Sequence, residues 1–241
     1  MKVNLSVIIP VYKEERRITR CIEDSLLFFR NNPTIQKFEL LFVADVSGDK
    51  TIAIIQSYLA KNKEIHLVVN ETRLQKGGSV QKGMLAANYD LLLYYDADLS
   101  TPLYEINETL ALIQNYDIVI GSRGMPGAHV EKRYFKIFLS KCFSFLKWLT
   151  LGINLYDTQC GFKMFRRSTL IIFEKQLLQS SCFDVELIYI AQKHGFTVKE
   201  KPVTWIDSDM SNFNTVHIVL SFFGELAKIR MNGWKRKYNV L

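Results

Sequence analysis

Asp96 and Asp98 follow the apolar run 91–95 (LLLYY). On an extended backbone, residues i and i+2 project to the same side. Two carboxylates held that close repel each other unless a cation lies between them. A hard divalent cation takes oxygen ligands and keeps phosphate oxygens in its shell, so the pair suits such a cation and a nucleotide diphosphate. The same spacing also suits a turn or a helix cap, because aspartate is common after strands.

Three further apolar runs end in Pro10-Val11-Tyr12-Lys13-Glu14, in Ala44-Asp45-Val46-Ser47-Gly48-Asp49 and in Gly121-Ser122-Arg123. Ligands of open α/β sheets bind at the carboxyl ends of strands, so these segments form one candidate edge. Lys76-Gly77-Gly78 could bring a cation and backbone amides to a phosphate, or could simply open a helix with a solvated lysine. The chain has no GxGxxG and no GxxxxGK[ST], which argues against a dinucleotide fold or a P-loop. It also lacks HExxH and GxSxG, and its four histidines are scattered.

The elements that must position these residues alternate. Residues 5–10 (LSVIIP), 38–43 (FELLFV), 65–69, 91–95 and 118–121 read as buried strands. Residues 14–30, 49–60 and 77–88 carry helical spacing between them. Strands joined by helices imply right-handed crossovers and a mostly parallel sheet, an α/β fold. The second half differs. It predicts a long helix over 133–151, a loop at 156–162, a helix over 184–194, an extended stretch over 197–205 and a C-terminal helix over 213–232. We expect one α/β domain over 1–210 and an amphipathic, basic appendage over 211–241.

Composition bounds the rest. The 241 residues carry a formal net charge of +7, and 48% are hydrophobic, enough for a core without staples. Cys21, Cys142, Cys160 and Cys182 form no CxxC pair and read as free thiols. The charge is local. Residues 129–167 hold eight basic against two acidic side chains, and residues 225–241 hold five against one. Both stretches are rich in large apolar residues, which is the composition of interfacial helices. Packing on the protein or across a dimer would use the same residues. Because the basicity coincides with bulky apolar helices rather than a polar groove, nucleic acid is not an expected partner. No leader pattern and no apolar window of about 20 residues is present, so we expect a cytoplasmic, peripheral membrane protein.

Taken together, SVIIPVYKEE (6–15), the 45–51 turn, QKGGSVQKGM (75–84) and YYDADLST (94–101) resemble the family 2 glycosyltransferases of GT-A fold. IGSR (120–123), DTQCGFKMF (157–165) and FDVELIYIA (183–191) are similar to dolichyl-phosphate β-glucosyltransferases and other polyprenyl-phosphate sugar synthases. The resemblance runs over about residues 5–205. It implies that Pro10, Tyr12 and Glu14 line a nucleotide pocket, that Asp45 reads the base, and that Lys76 is the basic residue of the glycine-rich stretch. It further implies Mg2+ or Mn2+ on Asp96 and Asp98, an acceptor phosphate near Arg123 and Arg133, and a sugar pocket closed by Asp157 and Gln159. Two departures stand out. The family's DDGS turn reads Ala44-Asp45-Val46-Ser47, and its later Ser-Lys reads Ser211-Asn212.

The resemblance implies an inverting, metal-dependent transfer of a hexose, glucose from UDP-glucose, to a polyprenyl or dolichyl phosphate. A phosphate monoester is largely dianionic at neutral pH and needs no strong base. Positioning and charge stabilisation then carry the reaction. A saccharide or protein hydroxyl would instead require a carboxylate base, for which Asp184 and Glu186 are the available late acids. The chain lacks the QxxRW motif of processive polysaccharide synthases. A degenerate nucleotide-sugar binding protein is the remaining alternative, motivated by Ala44, Val46 and Asn212.

Overall fold

The computed structural model describes residues 2–130, 134–180, 182–206 and 215–239, with side chains from 143 onward in the helix over 134–151 and from 222 onward in the helix over 215–234. Arg133 and the Ser211-Asn212 pair lie outside the described residues.

The first half follows the alternation. Strand β1 (Val3–Val11) leads to α1 (Ile18–Asn31), β2 (Ile35–Asp45), α2 (Thr51–Leu59), β3 (Ile65–Asn70), α3 (Gln75–Ala86) and β4 (Leu91–Tyr95). Then come α4 (Glu105–Leu112), β5 (Ile118–Ser122), β6 (His129–Val130) and α5 (Tyr134–Leu151). The remainder is β7 (Phe162–Arg166), a 3-10 turn, α6 (Ile171–Lys175), α7 (Phe183–Lys193), β8 (Val198–Pro202), β9 (Thr204–Trp205) and α8 (Thr215–Trp234).

Seven strands form one sheet in the order β3-β2-β1-β4-β7-β5-β8, and β6 pairs with β9 in a small second sheet. The β1–β2, β1–β4, β2–β3 and β5–β8 pairs are parallel. Strand β7 runs antiparallel to both of its neighbours, β4 and β5. The sequence pattern predicts only a loop ahead of this position. Five residues with a lysine at the second place carry too weak an apolar signal for a central strand.

Both faces of the sheet are covered, which is why β1 is apolar at nearly every position. Leu5, Val7 and Ile9 join a core with Ile18, Ile22, Leu26 and Phe29 of α1 and Ile106 of α4. The i, i+4, i+8 spacing on α1 makes that stripe. Ile8 points the other way, into a second core with Val80 and Met84 of α3, most of α7, and Leu226 and Ile229 of α8. The described end of the C-terminal segment is therefore packed against the domain, with Tyr238 buried beside it.

Candidate functional site

The strand order reverses between β1 and β4, and a crevice opens where it does. The cleft there has a volume of about 660 Å3 and takes its walls from Pro10 and Tyr12 after β1, Asp45 after β2 and Asp96 and Asp98 after β4. Lys76 of α3, Arg123 after β5, Gln159 and Asp184 of α7 complete it, as do Glu14, Arg17, Arg73 and Trp205. A smaller recess of about 90 Å3 adjoins it between Ser100, Thr101, Arg123, Gly161 and Trp205. Residues from the ends of β1, β2, β4 and β5 thus meet because these strands deliver their carboxyl ends to one edge.

Each DxD carboxylate faces a cation. Lys76 Nζ lies 2.6 Å from Asp96 Oδ1, and Arg17 Nη1 lies 3.9 Å from Asp98 Oδ2. The Ser100 amide donates to Asp98 Oδ1 at 2.9 Å, so the second aspartate also shapes its own turn. Leu99 in that turn has φ of 53°, a left-handed conformation. Gly161 packs against Asp96, and a Cβ there would fall on the carboxylate. Glu14 is held by Arg17 at 2.8 and 3.0 Å. Burial pushes the Glu14 carboxyl up, Arg17 opposes that, and the negative charges of Asp98 and Asp96 add to the rise. For Lys76, burial works against the charged form, but Asp96 and Asp184 more than offset it and the pKa is raised.

Asp45 does more than line the cleft. Its Oδ1 accepts from Asn70 Nδ2 (2.8 Å), the Leu74 amide (3.0 Å) and Ser79 Oγ (3.3 Å). Its Oδ2 accepts from the Gln75 amide at 2.9 Å. The buried carboxylate therefore clamps the start of α3, where Gln75 has φ of 58°. Two residues on, the Gly77 amide donates to Gln179 O at 2.9 Å, and a Cβ on Gly77 would lie 2.8 Å from that oxygen. These contacts explain the glycine-rich spacing by close backbone approach.

Arg123 and Asp157 form a bidentate pair, Nε–Oδ2 at 2.6 Å and Nη2–Oδ1 at 3.1 Å, with the Arg123 amide adding a third bond. Burial alone would raise the Asp157 carboxyl, but Arg123 holds it well below the usual range. Asp157 consequently stands behind Arg123 rather than in the cleft wall, while its neighbour Gln159 does line the cleft. Glu200 fixes this loop from below by accepting the Tyr156 and Asp157 amides, both at 2.8 Å.

Asp184, a candidate base on sequence grounds, is buried and paired. Its Oδ1 accepts from Lys163 Nζ at 2.5 Å and from the Tyr94 hydroxyl. Lys163 of β7 is wholly buried and also donates to Tyr94 and to Cys160 O. Glu186, the other late acid, lies outside the cleft and holds the Leu177 and Leu178 amides and the Tyr238 hydroxyl. Lys163, Arg17, Arg73 and Trp205 were not singled out from the sequence. Arg73 lies over the Tyr12 ring at 4.3 Å, and Lys163 stands out in DTQCGFKMF only as a charge between apolar residues.

Lys147 is not one of an outward row of interfacial lysines. It is 1% exposed and donates to Thr158 Oγ1 at 3.0 Å. Burial lowers its pKa to about 8, against the opposing pull of Asp157 and Glu200. Among the described residues, the large apolar side chains exposed on α5 are Phe145, Trp148 and Leu149, and on α8 they are Phe223, Met231 and Trp234. Among the described residues, no helix is long and apolar enough to cross a membrane.

Comparison with known proteins gives the family and the fold. Residues 6–171 match the glycosyl transferase family 2 profile. The chain is 32% identical over 247 residues to a dolichyl-phosphate beta-glucosyltransferase of Trichomonas vaginalis, covering 97% of this chain and 76% of the relative. It is 32% identical over 232 residues to the dolichyl-phosphate beta-glucosyltransferase of Drosophila melanogaster, covering 87% and 69%. Among solved structures it is similar to glucosyl-3-phosphoglycerate synthase from Mycobacterium tuberculosis in complex with Mn2+, UDP and glucosyl-3-phosphoglycerate. That match has a TM-score of 0.64 at 14% identity and covers 99% of this chain and 81% of the other. At that identity the likeness concerns the fold, and it is the GT-A fold.

Proposed function

The chain belongs to glycosyl transferase family 2, and on that basis we propose that it transfers glucose from UDP-glucose to a dolichyl or polyprenyl phosphate, with inversion. The observation that carries the reading is the match over 97% of the chain to a relative named for that transfer. The site supports it. Pro10, Tyr12 and Asp45 are the proposed nucleotide contacts; of the two Asp45 oxygens, Oδ2 has the fewer protein donors. Gln159 is the proposed sugar contact on its loop.

Asp96 and Asp98 are the residues that would hold Mg2+ or Mn2+. They fit, because such a cation is held by one or two carboxylates with substrate phosphates filling its shell. When bound, the ion would stabilise charge on the departing diphosphate. Arg123, pinned by Asp157, would present a fixed guanidinium to the acceptor phosphate, with Arg133 as a second basic residue. Asp184 is engaged by the Lys163 ammonium and the Tyr94 hydroxyl, and a phosphate acceptor does not require a base.

The exposed aromatic faces of α5 and α8 support a peripheral position on the cytoplasmic face of a membrane, with 211–241 as an interfacial segment. The test is radiolabelled transfer from several nucleotide sugars to polyprenyl phosphate, with and without Mn2+. Metal-dependent labelling of the lipid from UDP-glucose is expected. Labelling of a saccharide instead, or a retained anomeric configuration, would refute the proposal.

A further inference from the structure

An ion pair in the cleft joins Lys76 to Asp96, at 2.6 Å. It occupies Oδ1 of one of the two carboxylates proposed for the metal, so the reasoning here rests on the donor reading above. The backbone under Lys76 is pinned on both sides. Asp45 holds the Gln75 amide and Gln179 O holds the Gly77 amide, both at 2.9 Å. Helix α3 cannot move aside, but a lysine head on four flexible carbons can. Asp98 accepts from the Ser100 amide at 2.9 Å and has its cation, Arg17, farther away at 3.9 Å.

We propose that Lys76 is a positioning residue that competes with the divalent cation for Asp96 and is drawn off by the incoming diphosphate. A metal ion and an ammonium on one carboxylate oxygen repel each other, so the metal alone must displace Lys76. A diphosphate provides that ammonium with a new anionic partner within the same cleft. Metal and nucleotide then bind as a coupled pair, and the coupling is reciprocal by thermodynamic necessity. Part of the coupling would exist without Lys76, because phosphate oxygens also ligate the ion. The part that Lys76 adds is the release of Asp96.

The experiment measures Mn2+ binding to the full chain by loss of the free-ion electron paramagnetic resonance signal, with and without UDP. It compares wild type, Lys76→Met and Lys76→Arg, each checked for an unchanged circular dichroism spectrum. Without UDP, Lys76→Met is expected to bind Mn2+ about tenfold more tightly than wild type, within the usual range of coupling factors. With UDP, that advantage is expected to vanish, because Lys76 has already left Asp96. Lys76→Arg keeps a cation on Asp96 and is expected to match wild type without UDP. No gain in Lys76→Met overturns the inference. An equal gain with and without UDP marks a general charge effect and overturns it as well. If wild type binds no UDP in the presence of Mn2+, the donor reading itself fails and the inference falls with it, a result visible in the wild type alone.

Discussion

The Lys163–Asp184 pair offers a sharp test of what holds the site's floor together. Lys163 lies on the central antiparallel strand and Asp184 in the first turn of α7, so the pair ties the sheet to the helix that packs beneath it. Both side chains are buried, and Lys163 has two further acceptors, the Tyr94 hydroxyl and Cys160 O. Removing one partner of a buried pair leaves an uncompensated charge and costs about 3–5 kcal/mol. Lys163→Met is therefore expected to lower stability by about that amount. For a chain of this length it would lower the melting temperature by roughly 6–20 °C, at 2–4 °C per kcal/mol. Asp184→Asn strands the ammonium and should cost a similar amount. The double variant removes both charges and should lose less than the two single losses added, with a coupling of about 1–3 kcal/mol. Urea unfolding of the four proteins reads this cycle. Additive losses, or a Lys163→Met loss below about 1 kcal/mol, would refute a tightly coupled buried pair.

Other consequences follow from neighbouring contacts. Asp157→Asn removes the charge that aligns Arg123, so the KM for polyprenyl phosphate should rise about tenfold or more while UDP affinity stays within twofold; isothermal titration and initial rates separate the two. Lys147 has a folded pKa depressed to about 8 from 10.5, so the unfolded chain binds more protons between those values and stability rises with pH through that window. The gain is at most about 3 kcal/mol, and Lys147→Met should remove it from urea melts compared at pH 7 and pH 10. The pair Phe145→Glu and Trp148→Glu should reduce flotation with anionic vesicles at least tenfold, since each buried aromatic contributes about 1.5–3 kcal/mol. Unchanged flotation would place the membrane contact elsewhere.

Much of this protein is written locally. The strands β1 to β5 and helices α1 to α3 show in the sequence because a strand buried on both faces must be apolar throughout and a surface helix must repeat its apolar stripe. The DxD also stands out, because its two carboxylates are two positions apart in the chain and need only one strand end to place them. By themselves those patterns determined an α/β sheet with acids and cations at its carboxyl edge.

The tertiary structure decided which charges meet. Lys163 reaches Asp184 across 21 positions, Arg123 reaches Asp157 across 34, and Lys201 reaches Glu105 across 96. Nothing in the spacing of such residues selects one partner over another, because Coulomb attraction acts through space once the sheet order is set. The same holds for β7, whose place between β4 and β5 depends on pairing with two strands already present. It holds for Asp45 too, whose oxygens are drawn to the α3 amides by the approach of that helix. Whether an acid is a clamp, a counter-ion or a metal ligand depends on its neighbours, and folding chooses those.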